Sequence, residues 1–304
     1  MGGQLTRDPR SDLIAGSIMA AATIKLFFPN GDAQSLRVAE ISNWTGKALA
    51  APRTELEDLF KREEIGQSGI YLLVGTDTKT NKPKAYIGEA EDVRKRLKQQ
   101  REKEFWVQVI VFVSKDENLT KSHIRYLEGR LIEEAAKIGR FELENDQTSG
   151  AKLPEPDRED MEVFLTRISQ LLPVLGCDIL TPLVKPEKTG VAGAFLKFSI
   201  KGLLATGQRT PNGFVVFKDS EATLDLRPSA PPWVIQQREK FIADGTLVRM
   251  QGKFKFTKNA EFTSPSAAAA VVCGGHVNGL TAWRNSEGKN LKQLDVSIFD
   301  QFVD

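Results

Sequence analysis

The chain has 304 residues, of which 40% are hydrophobic and 27% charged, and carries a net charge of +2 at neutral pH. That length accommodates two domains of ordinary size, and the composition excludes a disordered or fibrous chain. So small a net charge excludes any inference about partners from global charge alone.

The two cysteines, Cys177 and Cys273, lie far apart and match neither a CxxC pair nor a zinc spacing. They read as buried thiols in a reducing compartment. No apolar run is long enough to span a bilayer, so a membrane partner is not expected. Leu13–Thr23 is mildly apolar but interrupted by Gly16 and Ser17, which makes a poor signal peptide. A cytoplasmic location is the default expectation.

Taken in order, residues 1–22 read as loose or weakly helical. Thr23–Phe28 and Leu36–Ile41 read as strands separated by the turn Pro29-Asn30-Gly31-Asp32, and Ala48–Ala51 as a third. This small β unit, within an N-terminal extension 1–66, precedes a short helix over Glu55–Lys61 with Thr54 as its N-cap. The apolar run Ile70–Val74 reads as a buried strand and Ala85-Tyr86-Ile87 as its returning partner across the polar turn 75–82. A helix is expected over 90–103, a third strand over Phe105–Val113, and amphipathic helices over 118–138 and 157–172. Gly139 suits the residue just past the helix end.

Residues 176–190, with two prolines, read as a linker between a domain at 67–175 and a second at 191–304. In the latter, Phe195–Ile200 and Phe214–Phe217 read as strands and Pro232–Asp244 as a helix. A hairpin is expected over Thr246–Thr257, and a helix after Ser264-Pro265, where serine caps and proline fits the first helical position. The fold class is α+β.

Charge is uneven where the paired strands lie. Lys79–Lys103 holds nine basic residues, including Lys84, Arg94, Arg96, Lys98 and Arg101, against four acidic ones. That local excess would draw a phosphate-rich partner.

Gly69-Ile70-Tyr71 and Tyr86-Ile87-Gly88, followed by Arg96 in one helix and Glu128 in a second, resemble the GIY-YIG nuclease superfamily. The resemblance implies a small central antiparallel sheet flanked by helices, and an endonuclease that hydrolyses phosphodiesters with one magnesium or manganese ion. Downstream, PSAAAAVV, Asn278-Gly279, Trp283 and Gly288 resemble a C-terminal domain of unknown function found behind GIY-YIG domains in bacterial proteins.

The resemblance implies roles. Tyr71 would be the general base, although a free tyrosine, with a pKa near 10, is a poor base at neutrality without help. Tyr86 would bond the phosphate or the water. Arg96 would clamp the phosphate, being always charged and able to give two hydrogen bonds; the competing reading is an Asp92–Arg96 helix pair. Glu128 lies among Ile124, Leu127, Leu131 and Ile132, where a carboxylate is costly unless compensated. A divalent cation would compensate it; a salt bridge to Lys121 or Arg125 is the alternative. Asn145 would stand near the phosphate. Many relatives carry histidine at the position of Gln100; glutamine can hydrogen-bond a phosphate but cannot carry a proton, and His123 is the substitute offered. Arg94, Lys98 and Arg101 would bind flanking phosphates or face solvent.

The function expected is metal-dependent cleavage of DNA, in defence against foreign DNA or in repair. A DNA-binding protein with little or no turnover and an RNA-cleaving nuclease are the alternatives. One active site nicks one strand, so double-strand cutting would need a homodimer or two copies acting together.

Overall fold

The computed structural model describes residues 21–80, 82–145, 150–182, 195–228 and 230–300, the side chains of 297–300 apart. The expected N-terminal arm and the linker beyond 182 lie outside the described residues. The chain is mixed α+β and divides into two compact units, Met1–Pro182 and Leu183–Asp304.

In the first unit the strands are β1 (Ile24–Phe27), β2 (Arg37–Ile41), β3 (Gly46–Pro52), β4 (Gly69–Thr76), β5 (Pro83–Ala90), β6 (Trp106–Ser114) and β7 (Glu142–Leu143). The helices are α1 (Leu56–Phe60), α2 (Val93–Gln99), α3 (Lys121–Ile138) and α4 (Glu155–Val174). One seven-stranded sheet runs in the order β1-β2-β3-β6-β4-β5-β7. All pairings are antiparallel except β5 with β7. The expected N-terminal β unit is therefore no separate extension: β3 pairs with β6 from Gly46–Ser114 to Pro52–Gln108 and continues the sheet.

Alternation along the strands splits the core in two. Ile70, Leu72, Val74, Ile87 and Phe112 face α3 and α4, where Leu127, Leu131, Phe164 and Ile168 bury against them. Tyr71, Leu73, Val111 and Val113 face the other way, under Leu59 of α1 and Val93 and Leu97 of α2. Cys177, Ile179 and Leu180 are buried in the first of these cores, so the expected linker cannot begin at 176.

Local chemistry sets the element ends. Asp77 closes the β4–β5 hairpin by accepting from the backbone N–H groups of Lys79 and Thr80. A β-carbon on Gly75 would stand 2.0 Å from the Phe105 carbonyl, so only glycine lets β4 and the start of β6 approach this closely. Gly139 ends α3 at φ 69°, as its position predicts. Thr54 does not cap α1. Residues 53–55 form a tight 3-10 turn, and Glu55 instead accepts from the Leu36 N–H (3.0 Å) and the Ser35 hydroxyl.

The second unit holds β8 (Leu196–Ile200), β9 (Leu203–Thr210), β10 (Gly213–Val216), β11 (Glu221–Ala222), β12 (Leu247–Met250), β13 (Lys253–Phe256) and β14 (Ala260–Phe262). Its helices are α5 (Pro232–Ala243), α6 (Pro265–Cys273), α7 (Gly279–Ala282) and α8 (Leu291–Asp300). They build sheets of order β14-β10-β9-β8 and β11-β13-β12. Trp283 is buried against Phe214 and Phe198, with ring centroids 4.5 and 5.5 Å away. Ser264 caps α6 as expected. At its far end the buried Arg238 donates to the Val271 and Val272 carbonyls, satisfying groups that a helix leaves unpaired. Among the described residues no helix is long and apolar enough to cross a membrane.

Candidate active site

The site grows from one cross-strand pair. Tyr71 stands opposite Gly88 in the β4–β5 ladder, and Tyr86 stands two residues along on the same face. The two tyrosine rings lie 6.0 Å apart at 40°. A β-carbon at Gly88 would sit 2.5 Å from the Tyr71 hydroxyl oxygen, so glycine is there because the phenol lies across its backbone.

The α2 helix closes over this pair. Its N-cap is Asp92, which accepts from the Lys95 N–H (2.9 Å) and pairs with the Lys95 ammonium (3.2 Å). Asp92 is thus the helix cap, which answers the competing reading of an Asp92–Arg96 pair. Arg96 is exposed and donates to Gln99 Oε1 (3.3 Å) while lying within reach of the Tyr71 oxygen. Gln100, buried at the helix end, donates from Nε2 to Tyr71 Oη (3.2 Å), and its carbonyl accepts from the Trp106 indole (3.2 Å). Burial pushes the Tyr71 hydroxyl well above the ordinary phenol range; Tyr86 pushes the same way and Arg96 opposes both.

Glu128 lies on α3, behind the other face of the sheet. The two faces meet at the edge of β5, where β7 pairs only with Lys84 and Ala85. There Glu89, the residue after Gly88, points opposite to Tyr86 and comes under the influence of Glu128 and Arg96. Burial first, then the charge of Glu128, lifts Glu89 above the ordinary carboxylate range, against Lys121, Arg96 and Arg125. Glu89 was not among the residues the sequence singled out. Lys121, one offered partner for Glu128, pairs with Glu91 (2.9 Å).

Other candidates take structural places. Asn145 accepts from the Ile87 N–H (3.1 Å) and donates to the Ile87 carbonyl (2.7 Å), so its amide extends the β7 ladder along β5. Lys84 pairs with Glu144 (2.9 Å) and Asp77 (3.5 Å). Arg94 ties α2 to the Arg62 carbonyl (2.6 Å). His123 belongs to a capping box: its N–H donates to Thr120 Oγ1 and its Nδ1 accepts from the Thr120 N–H, both at 3.3 Å. Those contacts, with the Asn118 carbonyl 3.3 Å from Nδ1 and Asp157 3.9 Å from Nε2, fix the imidazole at the start of α3. Lys98 and Arg101 remain exposed, with their charged groups 5.9 and 5.3 Å from the Phe60 ring. Lys103 lies 4.7 Å over Tyr86.

Residues 196–295 match a domain of unknown function (DUF4357). The match covers β8 to α8 within the second unit and leaves the sheet carrying Tyr71 outside it. No curated protein and no solved structure matches the chain. The DUF4357 region contributes folded scaffold around Trp283 and Arg238, both engaged in packing or backbone hydrogen bonds.

A hard cation of the magnesium or manganese kind takes one or two carboxylates and completes its shell with water and substrate oxygens, and Glu128 and Glu89 are the residues here that would hold one. Glu128 and Glu89 supply two carboxylates whose mutual repulsion a cation would relieve. Among the described residues no three His, Cys, Asp or Glu side chains gather as a protein-only metal cage.

Proposed function

We propose that the first unit is a divalent-cation-dependent endonuclease of the GIY-YIG type, acting on DNA, with the DUF4357 region selecting substrate or partner. The observation that carries the reading is the convergence of Tyr71, Tyr86, Arg96 and Gln100 at one strand pair, with Glu89 on the opposite face of β5 under the charge of Glu128. Neither GIY nor YIG needs a tyrosine packed on the opposing glycine merely to form a hairpin.

In this reading Arg96 binds the scissile phosphate through its guanidinium. Tyr71 and Tyr86 orient the attacking water. The water oxygen bonds to phosphorus as the bond from phosphorus to the sugar oxygen breaks; the water proton passes to the Tyr71 side, and the leaving oxygen takes a proton from solvent. A cation bound at Glu128 and Glu89 would stabilise charge on the phosphoryl and leaving oxygens. Lys98 and Arg101, flanking Phe60, bind neighbouring phosphates. Strand form and cellular role, defence or repair, follow from substrate trials.

The test is incubation of the purified protein with labelled single- and double-stranded DNA in magnesium, manganese or chelator, beside Glu128→Ala. Cleavage that needs metal and falls roughly a hundredfold or more in the variant supports the reading. Salt-sensitive binding of DNA without cleavage in any metal replaces it with a binding protein, and cleavage of RNA alone replaces the substrate.

A further inference from the structure

The turn between α2 and β6 delivers a partner to each tyrosine of the site. Gln100, at its start, donates from Nε2 to Tyr71 Oη (3.2 Å), and Lys103, at its end, places its ammonium 4.7 Å from the centre of the Tyr86 ring. A helix end leaves its last carbonyls without backbone donors. Here one distant residue supplies donors. Arg53, just past β3, donates from Nη1 to the Lys103 carbonyl (2.5 Å) and the Trp106 carbonyl (3.3 Å), and from Nη2 to the Arg101 carbonyl (2.6 Å). Its guanidinium lies 4.4 Å over the Trp106 ring, and the Trp106 indole in turn donates to the Gln100 carbonyl (3.2 Å). From the other side the Thr76 N–H donates to the Phe105 carbonyl (3.1 Å) and ties the turn to β4.

We propose that Arg53 is a positioning residue for the Tyr71–Tyr86 pair, acting through the turn whose carbonyls it gathers. Three acceptors spread over residues 101–106 suit a planar fork with donors on two nitrogens; the single ammonium of a lysine cannot match that geometry. With the fork in place, Trp106 holds the Gln100 main chain, and the buried Gln100 amide meets the Tyr71 oxygen in one orientation. Both guanidinium Nη atoms are engaged by main-chain carbonyls of the protein rather than offered to a substrate. The N-terminal strands thereby take part in the site as well as extending the sheet. The placing of the two tyrosines belongs to the free protein; its consequence for cleavage rests on the nuclease reading.

Arg53→Lys tests it, since it keeps the charge and loses the fork. The chain has three tyrosines, so labelling their Cζ carbons gives three NMR signals, assigned with Tyr→Phe variants. In Arg53→Lys the Tyr71 and Tyr86 signals are expected to shift, while that of Tyr126, which bonds to Glu162, stays in place. In a Gln100→Leu background the same substitution should shift Tyr71 no further, because the route to it is already cut. Trp106→Phe removes the indole donor and keeps a ring; it tests the same link from its other end should Arg53→Lys not fold, and a Tyr71 shift is expected there too. For cleavage, kcat should fall about tenfold or more in Arg53→Lys with KM for DNA unchanged. A Tyr71 signal indifferent to both variants, an equal shift with and without Gln100, or wild-type kcat in Arg53→Lys overturns the proposal. So does a raised KM with kcat unchanged, which would make Arg53 a direct phosphate contact. If the signals shift as expected while the wild type cuts no nucleic acid, the positioning stands and the nuclease reading falls; if the wild type cuts and the signals stay, the reverse holds.

Discussion

At the scale of single residues, the site depends on close approach more than on charge. Gly88 is the sharpest case, because a methyl group there would overlap the Tyr71 phenol. Gly88→Ala is expected to cost roughly 2 kcal/mol or more in denaturant unfolding and to abolish cleavage, whereas alanine at the exposed Gly150, where nothing lies within 4 Å, should change neither. A second residue reports on pH. Burial opposes the charge of Glu64, but Arg62 and Lys47 prevail and hold its carboxyl at about 2. The folded state therefore binds the proton less readily than the unfolded chain, so the stabilisation is complete above about pH 4.5 and fades as pH falls toward 2. Discounted for solvent screening, Glu64→Gln should lose about 1 kcal/mol at pH 7 and little below pH 3, read from urea midpoints at the two pH values.

At the scale of elements, the β5 edge is where the two faces of the sheet join, and a side chain rather than a strand covers part of it. Asn145→Ala removes both bonds to Ile87 and is expected to speed hydrogen exchange at the Ile87 amide, with a loss of about 1–2 kcal/mol in local stability. This edge also shows what the sequence could express. β4, β5, β6 and the helices α3 and α4 follow from apolar periodicity, whereas Tyr71, Tyr86, Arg96 and Glu128 stand out only through the resemblance to the GIY-YIG pattern. Strand order does not: β3 meets β6 across two intervening strands and two helices of chain, and nothing local marks the pairing. β9 escapes because LLATGQRT does not alternate cleanly, and β7 because two residues carry no pattern. Thr120-x-x-His123 is a capping box with an unusual third partner, so His123 resembles a free candidate until the helix start is seen. Glu89 could be suspected from its place after Gly88, but only the fold brings it to Glu128.

At the scale of the whole molecule, three cores form among the described residues, two on the faces of the first unit's sheet and one in the second unit. Calorimetry should resolve two unfolding transitions rather than one. Magnesium or manganese is expected to raise only the transition of the first unit, in proportion to the logarithm of its concentration over Kd. Glu128→Ala should remove that shift and Glu89→Gln reduce it. The central claim is that the chemistry turns on the Tyr71 hydroxyl. The measurement that tests it most directly compares the single-turnover cleavage rate of wild type and Tyr71→Phe in magnesium, with DNA affinity measured alongside by fluorescence anisotropy. A rate lower by about a hundredfold or more, with affinity held within about twofold, is the predicted result. A Tyr71→Phe protein that cuts DNA at the wild-type rate would contradict it.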